Sequence, residues 1–173
     1  AYVRGKVESL KSQEKEVTTE EHEQARQHAQ QSFRLAARYA HGAPSPMLIV
    51  VCGRVGTGKS TVAGRLSEQI GFVSLNSDVI RKRLAGILPT AHLETEYGSG
   101  IYSEEFSQRT YKTLFAQTEE ILRAGRGVIV DATCKRQEDR RALLELGQRQ
   151  QVPVLFLECR ASVAEIERRL RER

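Results

Sequence analysis

After residue 46, short apolar runs alternate with stretches whose apolar positions recur every three or four residues. The runs are "MLIVVC" (47–52), "FVSLN" (72–76), "GVIVDA" (127–132) and "VPVLFLEC" (152–159). They have strand length and carry many β-branched residues. Helical spacing is clearest over 103–124, where Phe106, Thr110, Leu114, Thr118, Ile121 and Leu122 share a face and Ser103 can cap the start. Further helices fit 58–69, 78–87, 137–149 and 162–173. Strands that are apolar on both faces and separated by helices predict an α/β fold, a parallel sheet covered on each side.

Residues 1–46 read differently. Thr18 and Glu21 form a candidate capping box, and Ala25, Ala29, Phe33, Ala36 or Ala37, and Ala40 then repeat at helical spacing. Gly42, Pro44 and Pro46 end the pattern in a stiff linker. The expected organisation is a helical segment over 1–46, leaning on the main domain or on a neighbour, followed by a domain over 47–173. The opening "AYVRGKVESL" reads as the end of a helix and "EIERRLRER" stops in mid-pattern, so a fused domain is expected before this chain.

Composition narrows the setting. No stretch approaches the roughly 18 to 20 apolar residues of a membrane span. Cys52, Cys134 and Cys159 are far apart and form no C-x-x-C pair, which fits reduced thiols and a cytoplasmic location. Three of the four His precede residue 42, against a His-based metal site. Residues 1–46 hold 7 Lys/Arg against 6 Asp/Glu, and residues 47–173 hold 20 against 16. That surplus suits anionic ligands but is too mild to argue for nucleic acid.

The sharpest motif is "GRVGTGKST", directly after the first apolar run. Gly53-x-x-x-x-Gly58-Lys59-Ser60 fits the Walker A pattern and is followed by Thr61. Glycines (Gly53, Gly56, Gly58) let backbone N–H groups point at phosphates without Cβ clashes, with Thr57 between them. Lys59 brings a mobile positive charge to the β- and γ-phosphates. Ser60 offers a hydroxyl to Mg²⁺, and the helix that follows (Val62, Leu66, Ile70) aims its N-terminal dipole at the anion.

Other strand ends add to this. Asp131 closes "GVIVD" and can hold Mg²⁺ directly or through water, or cap the next loop. "NSDVIRKRL" follows the second run. In a parallel sheet its Asp78 projects toward the same crevice as Lys59, where a carboxylate can accept the proton of an attacking hydroxyl. Arg81, three residues on, can balance charge on the transferred group; the plainer alternative is a helix cap with a surface neighbour. Arg169 and Arg173 share a helical face near the end of the chain, as they would on a solvated charged helix.

In order, Walker A, "SDVIRKRLAG", the tyrosines and glycine of Tyr97, Gly100 and Tyr102, "GVIVDAT" and "RL-x-x-R" resemble the small P-loop kinases that include polynucleotide 5′-hydroxyl kinases and zeta-toxin-like kinases. The match runs from about residue 47 to 173. It is nearest the subgroup fused behind an aminoglycoside-phosphotransferase-like domain. The resemblance implies a P-loop NTPase sheet of order 2-3-1-4-5, with ATP and Mg²⁺ as cofactors. It implies Asp78 as base, Arg81 as phosphate or acceptor ligand, and Arg169 and Arg173 as lid residues that exclude water. Family members continue past "RL-x-x-R", so the fifth strand and part of the adenine pocket are expected to be missing.

Two functions follow. The first is an ATP-dependent kinase acting on a hydroxyl of a small molecule. A polynucleotide 5′ end is its rival acceptor, disfavoured by modest charge and 6% aromatic residues. The second is a nucleotide-binding switch that signals to a neighbouring domain without an acceptor. The GTP-specific N-K-x-D motif is missing, which points to ATP. Antibiotic modification has no support in these residues. Segment 87–106 is expected to discriminate acceptors, and Arg140 and Arg141 to decorate a helix face or else contact the acceptor.

Overall fold

Two runs, one apolar throughout and one apolar up to its terminal Asp131, become the centre of a four-stranded parallel sheet. The computed structural model describes residues 6, 7, 9, 18–40, 45–88 and 100–172. Arg173, Tyr97, Gly42, Pro44 and most of "AYVRGKVESL" lie outside the described residues. The chain divides into two compact units, 1–44 and 45–173.

In the first unit, helix α1 spans Thr19–Ala40. Its capping box forms as expected: the Thr18 N–H donates to Glu21 Oε2 at 3.0 Å, and the Glu21 N–H donates to Thr18 Oγ1 at 3.4 Å. Ala25 and Ala29, four residues apart, are buried.

The second unit runs β1 (Leu48–Cys52), α2 (Lys59–Ile70), β2 (Val73–Asn76), α3 (Ser77–Leu84), a 3₁₀ turn (Gly100–Tyr102), α4 (Glu104–Arg123), β3 (Val128–Asp131), α5 (Gln137–Arg149), β4 (Val154–Glu158) and α6 (Val163–Arg171). The described strands lie in the order β2-β3-β1-β4, all parallel. Every residue of β1 and β3 is buried, whereas the edge strands β2 and β4 are partly exposed. Full burial on both faces thus holds for the two central strands only.

Alternation of side chains across the sheet splits the core in two. On one face Leu48, Val50, Val128 and Val130 pack with Leu114 and Leu122 of α4 and Leu143 and Leu146 of α5. On the other, Ile49, Val51 and Ile129 pack with Ala63, Leu66 and Ile70 of α2. The expected face of α4 buries Thr110, Leu114, Thr118 and Leu122, and its threonines donate back to Phe106 O and Leu114 O at 2.8 and 2.7 Å. Helix α3 stops at Leu84 rather than at 87. Ala85 caps it and Gly86 turns the chain at φ 70°.

Candidate active site

The site is built at the carboxyl ends of β1, β2 and β3. Beyond Cys52 the chain enters the loop 53–58, whose three glycines all have positive φ. At Gly53 (φ 132°) a Cβ would strike the backbone carbonyl of Cys159, so the loop can leave the sheet this closely only with glycine there. The loop folds around one acceptor. Arg54 O receives the Thr57 hydroxyl and the Lys59 ammonium, each at 2.8 Å.

Gly58, left-handed at φ 89°, is the N-cap of α2 and places no side chain on the first-turn N–H groups. By contrast α3, α4 and α6 are capped by Asn76, Ser103 and Ser162. The uncapped N-terminus of α2 borders a cavity of about 500 Å³ lined by Gly56, Thr57, Gly58, Thr61, Val62 and Arg169. A first turn without a side-chain cap, and the helix dipole, suit an anion there.

Register determines the next contacts. Asn76 and Asp131, the last residues of β2 and β3, are paired across the sheet. Asn76 Nδ2 donates to Asp131 Oδ2 at 2.5 Å and to Ser60 Oγ at 3.3 Å. Its Oδ1 accepts from the Asp78 and Val79 N–H groups at 2.8 and 3.0 Å. The two expected metal-side oxygens, on Ser60 and Asp131, therefore meet on one amide. Asp131 is buried. From sequence, Asn76 is only the end of a strand run. Its signal was a capping-type residue between a strand and "SD".

Asp78 stands on the first turn of α3 with its side chain 48% exposed, open enough to meet an incoming molecule. It pairs with Lys82 at 3.0 Å and accepts from the Tyr102 hydroxyl at 3.3 Å. Burial, then the Asp78 carboxylate, raise the Tyr102 phenol above its ordinary pKa, with Arg81 opposing, so the phenol stays protonated and donates. Lys82 was also missed in sequence.

Arg81 points away from solvent. Its Nη1 donates to Ile101 O at 2.7 Å and to Ser107 Oγ at 3.1 Å, and its guanidinium lies 5.1 Å from the Tyr102 ring centre. It ties α3 to the start of α4.

Arg169 reaches the loop from α6. Its Nη1 donates to Gly56 O at 3.3 Å while Nε pairs with Glu165 at 2.6 Å. A Cβ on Gly56 would lie 3.1 Å from Ile166 Cγ2, so α6 rests on the loop through apolar contact as well. Arg140 does more than decorate α5. Its Nη1 donates to Cys134 O at 2.6 Å and to Lys135 O at 3.0 Å, closing the loop after β3.

Beside the crevice, α4 and the start of α5 form a groove of about 370 Å³, lined in part by Ser107, Tyr111, Lys112, Arg136, Glu138 and Asp139. Ser107 is bonded to Arg81, and the Tyr111 hydroxyl lies 3.3 Å from Thr133 Oγ1, two residues past Asp131.

The sequence profile of the AAA domain family (AAA_33) matches residues 48–173, from the first residue of β1 through α6. The chain belongs to this family. Among curated relatives, an uncharacterized protein of Mycobacterium tuberculosis is 28% identical over 116 residues, 67% of this chain. This chain spans 23% of that relative's length. Solved structures similar to the AAA domain include a Chloroflexus aurantiacus protein classed as a kinase (TM-score 0.62, 21% identity, 76% of this chain and 69% of that one). Another is the Pnkp1/Rnl/Hen1 complex (TM-score 0.57, 21% identity, 72% and 39%). A third is the Mycobacterium tuberculosis APS kinase CysC with AMPPNP and APS (TM-score 0.55, 21% identity, 73% and 69%). The AAA domain has the fold of P-loop kinases, and its order 2-3-1-4 agrees with the first four strands of the expected sheet.

Among the described residues no helix is long and apolar enough to cross a membrane.

Proposed function

We propose that the AAA domain transfers the γ-phosphate of ATP to a hydroxyl of a small-molecule acceptor, with a polynucleotide 5′ end as the rival. One observation carries this reading: the uncapped α2 terminus with Lys59, the Ser60–Asn76–Asp131 cluster and the half-exposed Asp78 converge on one sheet edge.

The N–H groups of the loop and of the first turn of α2 would hold the nucleotide's phosphates, and Lys59 would turn from Arg54 O toward them. The donor set fits Mg²⁺, because Ser60 and Asp131 present hard oxygens on a shared amide. Ser60 and Asp131 would hold the ion from the protein side, and phosphate oxygens of a bound nucleotide would complete its shell. When bound, the ion offsets charge on the phosphates.

The acceptor oxygen forms a bond to the γ-phosphorus as the bond to the bridging oxygen breaks. ADP leaves, and the hydroxyl proton passes to Asp78. Tyr102 and Lys82 hold that carboxylate in place. Arg169 covers the transferred group and keeps water out. Arg81 holds the acceptor side in shape, binding the turn and the start of α4 to α3.

Charge in the α4–α5 groove favours the small acceptor. Lys112 and Arg136 face Glu138 and Asp139, a balanced lining rather than a positive track for phosphates.

Asp78→Asn tests the reading. ATP affinity is expected to hold while transfer falls by about 10²- to 10⁴-fold, the usual worth of a general base. Equal binding and equal transfer would remove Asp78 as the base. Binding without transfer by the unaltered chain would leave the regulatory switch in its place.

A further inference from the structure

We propose that Asn76 is a positioning residue of this site, coupling the oxygens that face the divalent cation to the helix that carries the proton acceptor. The inference rests on the nucleotide–Mg²⁺ reading above and extends it to a residue outside the Walker motif.

The amide's orientation is determined by its surroundings. Oδ1 accepts from two backbone N–H groups, those of Asp78 and Val79. Turning the amide over would set Nδ2 against those donors and Oδ1 against the Asp131 carboxylate. In the observed orientation Nδ2 reaches both Asp131 Oδ2 and Ser60 Oγ. One side chain thus touches the start of α2, the end of β3 and the start of α3.

Helix capping alone does not call for asparagine, since serine or aspartate caps as well. What calls for an amide is a second function on the same group, a donor aimed at a buried carboxylate. A neutral donor orients Asp131 and leaves its charge for a cation. Lysine or arginine there would cancel the charge. This is the way an outer partner tunes a metal ligand. Because the same amide holds the first turn of α3, a displacement of Asp131 toward a cation is transmitted to Asp78.

Two variants separate this role from capping. Asn76→Ser keeps a cap oxygen but is too short to reach Asp131. Asn76→Asp keeps the cap and sets a second carboxylate against the first. ATP affinity is measured by calorimetry on the full chain, in EDTA and across a Mg²⁺ titration. Asn76→Ser is expected to lose less affinity in EDTA than in saturating Mg²⁺, and Asn76→Asp, which adds a carboxylate near the phosphates, to weaken both. The Mg²⁺ concentration that gives half of the affinity gain rises by about 10- to 100-fold, the usual cost of losing an outer-shell partner.

A serine variant with the wild-type Mg²⁺ response overturns the proposal alone. So does equal weakening of the serine variant with and without Mg²⁺, which marks a purely structural residue, and so does a wild-type chain that binds ATP without regard to Mg²⁺. A wild-type chain that binds no nucleotide overturns the cradle and this proposal together.

Discussion

Cys134 shows how much constraint one residue beside the crevice can carry. Its backbone is left-handed at φ 44°, a conformation that non-glycine residues adopt at a cost. The loop is held there from both sides. The Cys134 N–H donates to the Tyr111 hydroxyl at 3.1 Å, and its carbonyl accepts from Arg140. Burial pushes the thiol up to about 12 from an ordinary 9.0. The unfolded thiol ionises first, so the stability contributed by Cys134 is fully present below pH 9 and is lost as pH rises from 9 toward 12. Against Cys134→Ala, urea unfolding is expected to show a stability gap that is constant below pH 9. Above that, the gap narrows by about 1.4 kcal/mol per pH unit. A gap that stays constant through that range would refute the buried, protonated thiol.

Among the elements, α6 rests on the loop 53–58, through Arg169 on Gly56 O and Ile166 beside Gly56. Arg169→Ala is expected to lower transfer by about 10²- to 10³-fold, the worth of a donor aimed at developing charge. Acceptor-independent ATP hydrolysis should rise at the same time. Unchanged transfer and hydrolysis, followed by phosphate release, would make α6 a bystander. The elements themselves were legible in sequence because period and punctuation encode them. β1 is apolar throughout and β3 up to Asp131, and both become central strands, while Ser103 and Thr18 cap where expected. The misses concern directions. Arg81 lies on the expected helix, yet its side chain turns to Ile101 and Ser107. The long-range partners of Asn76, Ser60 and Asp131, lie 16 and 55 residues away in sequence; strand register sets Asp131 opposite it, and the start of α2 brings Ser60. Local periodicity carries no information about that register.

At the largest scale, the carboxyl ends of the strands gather loop, carboxylates and α6 into one crevice, so a ligand there should stabilise the unit 45–173. A hundredfold excess of ATP over its Kd is expected to add about 2.7 kcal/mol to unfolding stability, and Lys59→Ala to remove most of that gain. Equal stabilisation of the variant would mean that ATP binds elsewhere. The most direct test of the central claim is ADP release from ATP and Mg²⁺ in the presence of single acceptors: gluconate-type sugars, nucleotide sugars, aminoglycosides and 5′-hydroxyl oligonucleotides. Release that depends on one small hydroxyl-bearing acceptor, and fails in Asp78→Asn, is the predicted result. Tight ATP binding with release that no acceptor changes would contradict the kinase.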